Sequence, residues 1–431
     1  MSEATNAVSF GVSALALALV AGCGSDPSGG SAGPGSTSTD TGAGGDGSGA
    51  GNTTTGAGAG TTTGGDGGGG SAPAGKVAIL IAQGDVGRTT ISCDEGKTWV
   101  ADHSWDIDAD PLMCGQKQSA VCYGATCSYS VNDQCEQQEC CNDSPDVAKG
   151  VVWGGGQFVA TWGWGQPGAV RRSTNGIDWT TTHPDDSFGG IAYGGGRFVV
   201  ASRSPFWSTD GQTWTAGSEA NYLNDDGSPM WSVRRFAYAD YQGGGRFVAV
   251  ASGNTNRDML VSSDGGETWW RPSVIPDDCA NEVSTYGGIV SGNDVIVIVD
   301  QSANACRSTD GGDTWSVVPT GLGQILSHGV WTGSEFRFWG DDAYMVSSPD
   351  GATWTKTPMV TPTRLGPVAQ SASGTLVAVG NVWEGYDKQS FLRSTDGSTW
   401  EELPAGAFVA SHPIFYLTAG WADPSAECPL P

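Results

Sequence analysis

The chain has 431 residues, carries a formal net charge of −26 and contains 11 cysteines, 68 glycines and 18 tryptophans. A surface so acidic repels phosphate backbones, which argues against nucleic acid as a partner. The cysteine count favours an exported protein, because disulfides persist outside the reducing cytosol.

The first segment, residues 1–23, is predicted to be a lipoprotein-type signal peptide. Residues 8–20 form an apolar run of 13 residues, too short to span a bilayer but suited to a signal-peptide core. The run leads into Val20-Ala21-Gly22-Cys23, which resembles a bacterial lipobox and implies lipidation of Cys23. Residues 1–6 contain Glu3 and no Lys or Arg, so either the start codon is misassigned or the signal is atypical. Cleavage without lipidation is the alternative to lipidation of Cys23.

Residues 24–75 are predicted to be a disordered tether. They consist only of Gly, Ser, Thr, Ala, Asp, Pro and Asn, none of which can build a hydrophobic core. A chain of this length and composition has a root-mean-square reach of roughly 40 Å. Five acids and no bases lie in residues 1–75, which leaves a net charge of −21 on the rest.

A Cys-rich insertion is predicted at residues 102–147. Six cysteines crowd into it: Cys114, Cys122, Cys127, Cys135, Cys140 and Cys141. The insertion has no Cys-x-x-Cys pair, so disulfides are favoured over zinc. Asp106-x-Asp108-x-Asp110 resembles the start of a calcium loop, but Pro111 and Lys117 stand where Gly and Glu are needed. We therefore predict no metal and no cofactor.

One short turn motif occurs seven times and organises the rest of the chain. The copies are Ser92 to Trp99, Ser173 to Trp179, Ser208 to Trp214, Ser262 to Trp269, Ser308 to Trp315, Ser348 to Trp354 and Ser394 to Trp400. Each copy has an acid or amide two residues after the Ser, a Gly one or two residues after that and a Trp at its end. A unit that recurs at this spacing indicates a repeat architecture.

The physical role of the acidic residue in this motif is local. A carboxylate or amide oxygen there can accept hydrogen bonds from backbone N–H groups two or three residues on, which tightens the turn. Seven equivalent residues cannot share one active centre, so we interpret them as structural. They are Asp94, Asn175, Asp210, Asp264, Asp310, Asp350 and Asp396.

The segments between the turns alternate short β runs with Gly turns, as in Val151 to Ala160 and Ile191 to Val200. The tryptophans that end the turns are 80, 35, 55, 46, 39 and 46 residues apart. Without the Cys-rich insertion, each spacing lies near the roughly 40 to 50 residues of a propeller blade. Four strands fit into each repeat.

The turn motif resembles the Asp box, or BNR repeat, of sialidase-like β-propellers. Together with the seven copies, it predicts an all-β fold: a seven-bladed β-propeller of four-stranded antiparallel blades over residues 76–431. The first blade lacks an innermost strand in the sequence, and residues 413–419 form a lone strand after the seventh turn. We therefore predict that this C-terminal strand closes the ring, which removes open sheet edges.

Strand order brings two pairs of cysteines together. Cys93 lies in the first turn and Cys428 follows the closing strand, while Cys279 and Cys306 lie on or near loops of adjacent blades. We predict the disulfides Cys93–Cys428 and Cys279–Cys306.

The turns share one face of the ring, and function is expected on the loops of the opposite face. Candidate ligand-binding residues there are Trp162, Trp164, Trp383, Glu384, Tyr386, Asp387, Arg234 and Arg235. Aromatic rings beside acids can stack on sugars and bind their hydroxyl groups. The alternative is that these rings pack against neighbouring loops.

The resemblance also suggests enzymatic functions. Sialidases use three arginines and a Tyr nucleophile, but their Arg-Ile-Pro signature does not occur here. Xyloglucan-type endoglucanases have two such rings around a cleft, whereas this chain has the repeats of one ring. Photosystem assembly factors resemble the layout more closely. We therefore predict a monomeric, lipid-anchored envelope protein that binds a protein or a glycan, with a glycoside hydrolase or an assembly-factor-like scaffold as alternatives. We identify no catalytic residue.

Overall fold

Seven sheets of antiparallel strands form a closed β-propeller, in which no helix occurs among the described residues. The computed structural model describes residues 73–84, 87–103, 121–123, 126–131, 134–139, 147–163, 168–184, 188–223, 227, 230, 233–251, 259–277, 279, 288–299, 304–321, 329–340, 343–380, 389–404 and 414–430. Only the backbone is described at 101–103, 121–123, 126–131, 134–139, 147, 184, 234 and 251. The predicted signal peptide, Cys23 and nearly all of the predicted tether lie outside these residues.

Each blade is ordered from the central channel outward. The innermost strands of blades one to seven are β30 (Ile414–Ala422), β7 (Val147–Gly154), β11 (Ile191–Gly194), β15 (Val233–Tyr241), β18 (Ile289–Gly292), β22 (Val330–Trp331) and β26 (Leu365–Gln370). The second strands are β1 (Val77–Gly84), β8 (Gln157–Gly163), β12 (Arg197–Val200), β16 (Gly244–Ala251), β19 (Val295–Val299), β23 (Phe336–Trp339) and β27 (Leu376–Gly380).

The outer half of each blade follows the same order. The third strands are β2 (Thr89–Ser92), β9 (Ala169–Ser173), β13 (Phe206–Ser208), β17 (Met259–Ser262), β20 (Asn304–Ser308), β24 (Tyr344–Ser348) and β28 (Ser390–Ser394). The outermost strands are β3 (Val100–His103), β10 (Thr180–Pro184), β14 (Thr215–Ala216), β21 (Ser316–Pro319), β25 (Thr355–Pro358) and β29 (Glu401–Glu402). Blade four has only the bridge between Val261 and Trp270 at this position.

A proline explains the short outer strand of blade four. Val261 and Trp270 exchange both backbone hydrogen bonds, at 2.8 and 2.9 Å. The same register would place Pro272 opposite Met259, and Pro272 has no N–H to donate. The chain leaves the sheet there, and Ser273 donates instead to the Asp313 carbonyl in blade five, at 2.8 Å.

The predicted ring closure is confirmed. The closing strand β30 pairs with β1 over the length of both strands, and its inner position in blade one places it beside β26 and β7. Blade one therefore combines the two ends of the described chain, and the inner strands contact their neighbours around the whole ring.

Both predicted disulfides are present. Cys93 is bonded to Cys428, and Cys279 to Cys306, with Cα–Cα distances of 5.7 and 5.4 Å. Cys428 is fully buried and packs in the apolar cluster between blades one and two. The Cys93–Cys428 bridge thus ties the first turn to the segment that follows the closing strand.

The predicted Cys-rich insertion contains a separate three-stranded antiparallel sheet of β4 (Val121–Tyr123), β5 (Thr126–Val131) and β6 (Gln134–Glu139). β3 ends at His103 and β7 begins at Val147, so the insertion departs from the propeller after the outermost strand of blade one. Asp106, Asp108 and Asp110 lie outside the described residues.

Blades are joined near the turns by a repeated hydrogen bond. A long polar side chain of one blade donates to a backbone carbonyl in the turn of the next blade. The pairs are Gln157 to Asp210 (2.7 Å), Arg197 to Asp264 (2.9 Å), Arg307 to Asp350 (2.7 Å), Arg337 to Asp396 (2.9 Å) and Arg393 to Glu95 (2.8 Å). The last pair joins blade seven to blade one. Arginines beside the turns therefore have a structural role.

Candidate functional site

The acidic residues of the seven turns are committed to hydrogen bonds within their own turns. In every copy the Ser hydroxyl donates to the carboxylate or amide oxygen at 2.8–3.1 Å. A backbone N–H three or four residues after the acid donates to the same oxygen at 2.7–3.0 Å. Asn175 makes the same bonds as the six aspartates, so the turn needs the oxygen and not the charge.

These bonds lower the pKa of the turn aspartates. The backbone N–H of Thr213, then that of Gln212, lowers the pKa of Asp210 to about 2, and the backbone N–H of Thr399 is the largest cause of a pKa of about 2 for Asp396. A carboxylate with so low a pKa stays ionised at neutral pH and is a poor proton donor or acceptor. The turn aspartates therefore have a structural role, and the face that carries the turns is here called the turn face.

The depressed pKa values predict a loss of stability in acid. The folded-state pKa of Asp210 and Asp396 lies below the ordinary value of 3.8, so their contribution is complete above that pH and disappears as the pH falls toward about 2. We expect the melting temperature to fall between pH 4 and pH 2. The double variant Asp210→Asn/Asp396→Asn should lose less over this range, since its amides do not titrate there. Equal losses in the two proteins would contradict this assignment.

The opposite face, here called the top face, contains irregular innermost strands. Four of these strands carry a β-bulge near the end that lies at the top face: at Lys149 in β7, Arg234 in β15, Gly366–Pro367 in β26 and Phe415 in β30. Bulges bend a strand, change the direction of a side chain and are common beside functional sites. The bulges therefore mark the top mouth of the channel as the candidate site.

Side chains from two strands of different blades meet at this mouth. The guanidinium Cζ of Arg235, on β15 of blade four, lies 5.7 Å from the centre of the Tyr416 ring, on β30 of blade one. Arg235 is 2% exposed and Tyr416 is 7% exposed. A cation over an aromatic ring is a favourable contact, and its strength increases when water is excluded. This contact links blade four to blade one across the ring.

Tyr416 also packs against blade two. It shares an apolar cluster with Trp162 and Ala148, and the Trp162 ring meets the Trp179 ring edge-on at 6.0 Å. Lys149, which follows Ala148 at the bulge, is buried too. Lys149 is the extra residue of this bulge. It interrupts the alternation of side-chain directions along the inner strand, and its side chain is buried.

Gln83 adds a polar group to the same layer. It pairs with Tyr416 across the β1–β30 ladder, is fully buried, and donates through Nε2 to the Thr89 hydroxyl at 3.2 Å. Its Oε1 accepts no hydrogen bond from the described residues. We call Gln83, Lys149, Trp162, Arg235 and Tyr416 the channel-mouth cluster. Within the described part of the chain, the buried charged side chains are Arg88, Lys149 and Arg235.

The structure brings together two of the predicted site residues, Trp162 and Arg235, through Tyr416. Trp162 is 1% exposed, and its ring packs in the interior against Tyr416 and Trp179 rather than on an exposed loop. Arg234 has only its backbone described, at the bulge of β15. Trp164, Trp383, Glu384, Tyr386 and Asp387 lie outside the described residues.

Sequence reasoning missed Gln83, Lys149 and Tyr416. A signal was present for two of them: Lys149 interrupts an apolar run, and Gln83 directly follows one. The link between Tyr416 and Arg235 carried no sequence signal, because 180 residues separate them and only the closed ring brings them together.

Within the described residues, no group of three or more His, Cys, Asp or Glu side chains lies close enough together to hold a metal ion. A helix long and apolar enough to span a membrane was also not found in that part of the chain.

No protein-family model and no curated protein sequence matches the chain. Among solved structures, a quinoprotein alcohol dehydrogenase-like protein from Bacteroides thetaiotaomicron is 9% identical and matches 78% of this chain and 77% of that chain, with a TM-score of 0.43. A putative 6-phosphogluconolactonase from Bacteroides uniformis is 11% identical over 81% and 100% of the two chains, with a TM-score of 0.43. YCF48 bound to D1 peptide is 15% identical over 72% and 95%, with a TM-score of 0.37. No function is transferred from likenesses this distant.

Proposed function

We propose that this protein is a binding module that uses the top face of its propeller to hold a protein or a glycan. The contact between Arg235 and Tyr416 at the channel mouth supports the proposal most strongly. The fold does not need a buried arginine on an inner strand, because the blades are already joined by apolar clusters and by the hydrogen bonds near the turn face. A rigid ring that positions buried polar and aromatic groups at one mouth is typical of binding sites.

The chemistry of the channel-mouth cluster suits a polar ligand. Arg235 and Lys149 are buried below the mouth, where their positive charge attracts the polar groups of a ligand held there, and Tyr416 packs against Arg235 and Trp162. Hydroxyl and carboxylate groups of a glycan, or of a protein loop, match this set. The net charge of −26 makes nucleic acid an unsuitable ligand.

We also propose an envelope location. Two disulfides within the propeller fit folding in an oxidising compartment. The predicted signal peptide and Cys23 would then supply a lipid anchor, and the predicted tether would hold a monomeric propeller away from the membrane. We also propose that the chain is related to Asp-box, sialidase-like propellers, and the geometry of its turns supports this relationship.

Labelling with a palmitate analogue tests the lipid anchor. It should mark the wild type and not Cys23→Ser; equal labelling of both would reject the anchor.

A glycan array, followed by titration of each hit, tests the binding function. We expect the full chain to bind a defined subset of glycans or envelope proteins. Arg235→Gln should weaken that binding roughly tenfold or more, because a hydrogen bond to a charged group contributes about 1.5–3 kcal/mol. Arg172→Gln is the matched control: Arg172 lies near the turn face and donates to Gln212 and Gln157.

Three outcomes would count against parts of this proposal. Equal binding by wild type and Arg235→Gln would remove the site from the channel mouth. An array and an envelope-protein panel without any hit would reject the binding function. Cleavage of a bound glycan, abolished by substitution of a top-face acid, would replace the binding module with a glycoside hydrolase.

A further inference from the structure

The closing strand β30 connects the two faces of the propeller. Its first residues lie at the channel mouth, where Tyr416 contacts Arg235. Its last residue, Ala422, pairs with Val77, and the chain then continues to Cys428 near the first turn. One continuous segment therefore contains Tyr416 of the proposed binding site and Cys428, which anchors the chain end.

Several contacts hold the segment near the turn face, including a hydrogen bond of 2.8 Å from the Trp153 Nε1 to the Trp421 carbonyl. Cys428 is bonded to Cys93, Asp423 accepts from the Lys76 ammonium at 2.7 Å, and the Asp423 backbone N–H donates to the Thr174 carbonyl at 2.7 Å. The ion pair is partly exposed, so its contribution is small. The covalent bridge is the strongest of these anchors.

Gln389 holds the other end of the strand. Its Nε2 donates to the Ile414 carbonyl at 3.1 Å, and its Oε1 accepts from the Ile414 N–H at 2.9 Å. The amide thus imitates one step of a β-ladder between blade seven and blade one. Two hydrogen bonds are a weak anchor compared with the bridge, since each contributes about 1 kcal/mol.

Within its sheet, β30 has hydrogen-bonded pairing on one side only. The strand order of blade one is β3-β2-β1-β30, so β1 is its sole partner in the sheet and its other edge faces the channel. Proteins open locally in contiguous cooperative units, and a strand with one ladder can form such a unit when its ends are free. The bridge fixes the chain end that follows β30.

We propose that the Cys93–Cys428 bridge near the turn face controls the binding site at the top face through the closing strand. With the bridge intact, β30 stays in its register and Tyr416 holds its position against Arg235. Without it, β30 opens more often along its whole length, and the channel-mouth cluster loses Tyr416 during each opening. This regulation of ligand binding rests on the proposed function. The coupling between the bridge and the opening of β30 does not, and it can be measured without a ligand.

Amide hydrogen exchange of the full chain tests the coupling. In the double variant Cys93→Ser/Cys428→Ser, we expect exchange within residues 414–417 to accelerate on the order of tenfold or more, since a disulfide typically contributes about 2–4 kcal/mol. The matched control is Cys279→Ser/Cys306→Ser, which removes the other bridge and leaves the closing strand tied. In the control, residues 414–417 should exchange as in the wild type.

A second variant covers the case in which the double variant does not fold. Asp423→Asn weakens the Lys76 ion pair without touching the bridge, so exchange at residues 414–417 should increase less than twofold. Unchanged exchange at 414–417 in a folded bridge-free protein, or a tenfold increase in Asp423→Asn, would overturn the proposal. If exchange accelerates but binding of the array hits is unchanged, the coupling holds and the placement of the binding site is wrong.

Discussion

Trp339→Ala should destabilise the propeller by about 3–5 kcal/mol, the usual cost of truncating a buried tryptophan. Trp339 ends β23 of blade six, is 1% exposed and donates through Nε1 to the Gly397 carbonyl of blade seven at 2.8 Å. Its ring also meets the Trp400 ring edge-on at 5.8 Å. The variant therefore leaves a cavity between two blades, and denaturant unfolding measures the loss.

Trp339→Phe separates packing from hydrogen bonding. A phenylalanine keeps most of the apolar contact and loses only the Nε1 donor. The Gly397 carbonyl also accepts from the Trp400 Nε1 at 3.0 Å, so it keeps a partner. We expect a loss of about 1–2 kcal/mol. If Trp339→Phe were as damaging as Trp339→Ala, the hydrogen bond and not the ring would dominate this contact.

Gly312→Ala should cost about 2–4 kcal/mol, a second large effect. Gly312 has a φ of +96° in the turn of blade five, and a Cβ there would lie 2.7 Å from Cγ2 of Val248 in blade four. The substitution combines backbone strain with a steric clash between blades. Val248 is fully buried on a second strand, so it has little room to move.

Gly196→Ala is the matched control for the clash. Gly196 has a φ of +77° in the turn between β11 and β12, and a Cβ there would meet no atom within 4 Å. Only the backbone strain remains, which costs about 1–2 kcal/mol. Thermal unfolding of both variants gives the difference. Equal losses would mean that the turn of blade five does not press against its neighbour as described.

The architecture could be predicted because its signals are local. Each turn is specified by a Ser, an Asp or Asn and a Gly within a few residues, and these groups bond to one another. Counting the turns predicted seven blades, and the unpaired C-terminal strand predicted the closure. The Cys93–Cys428 pairing followed from the same strand order.

The candidate site could be predicted only in part because it depends on irregular, non-local geometry. A bulge shifts Lys149 out of the alternation that predicts which face a side chain takes. Arg235 and Tyr416 meet across the ring, on blades four and one. Trp162 read as an exposed loop residue because the sequence does not show that β8 continues to Gly163. The outer strand of blade four is reduced to a single β-bridge. This could not be predicted either, because it depends on where Pro272 falls in the register.

We propose that the top face binds the ligand, whereas the turns of the turn face have a structural role. The most direct measurement compares the affinity of one array hit for wild type, Arg235→Gln and Arg172→Gln, each confirmed as folded by its melting temperature. We expect Arg235→Gln to bind the ligand roughly tenfold or more weakly than the wild type, and Arg172→Gln to bind it as the wild type does. Loss of the ligand in Arg172→Gln, with full affinity in Arg235→Gln, would contradict it.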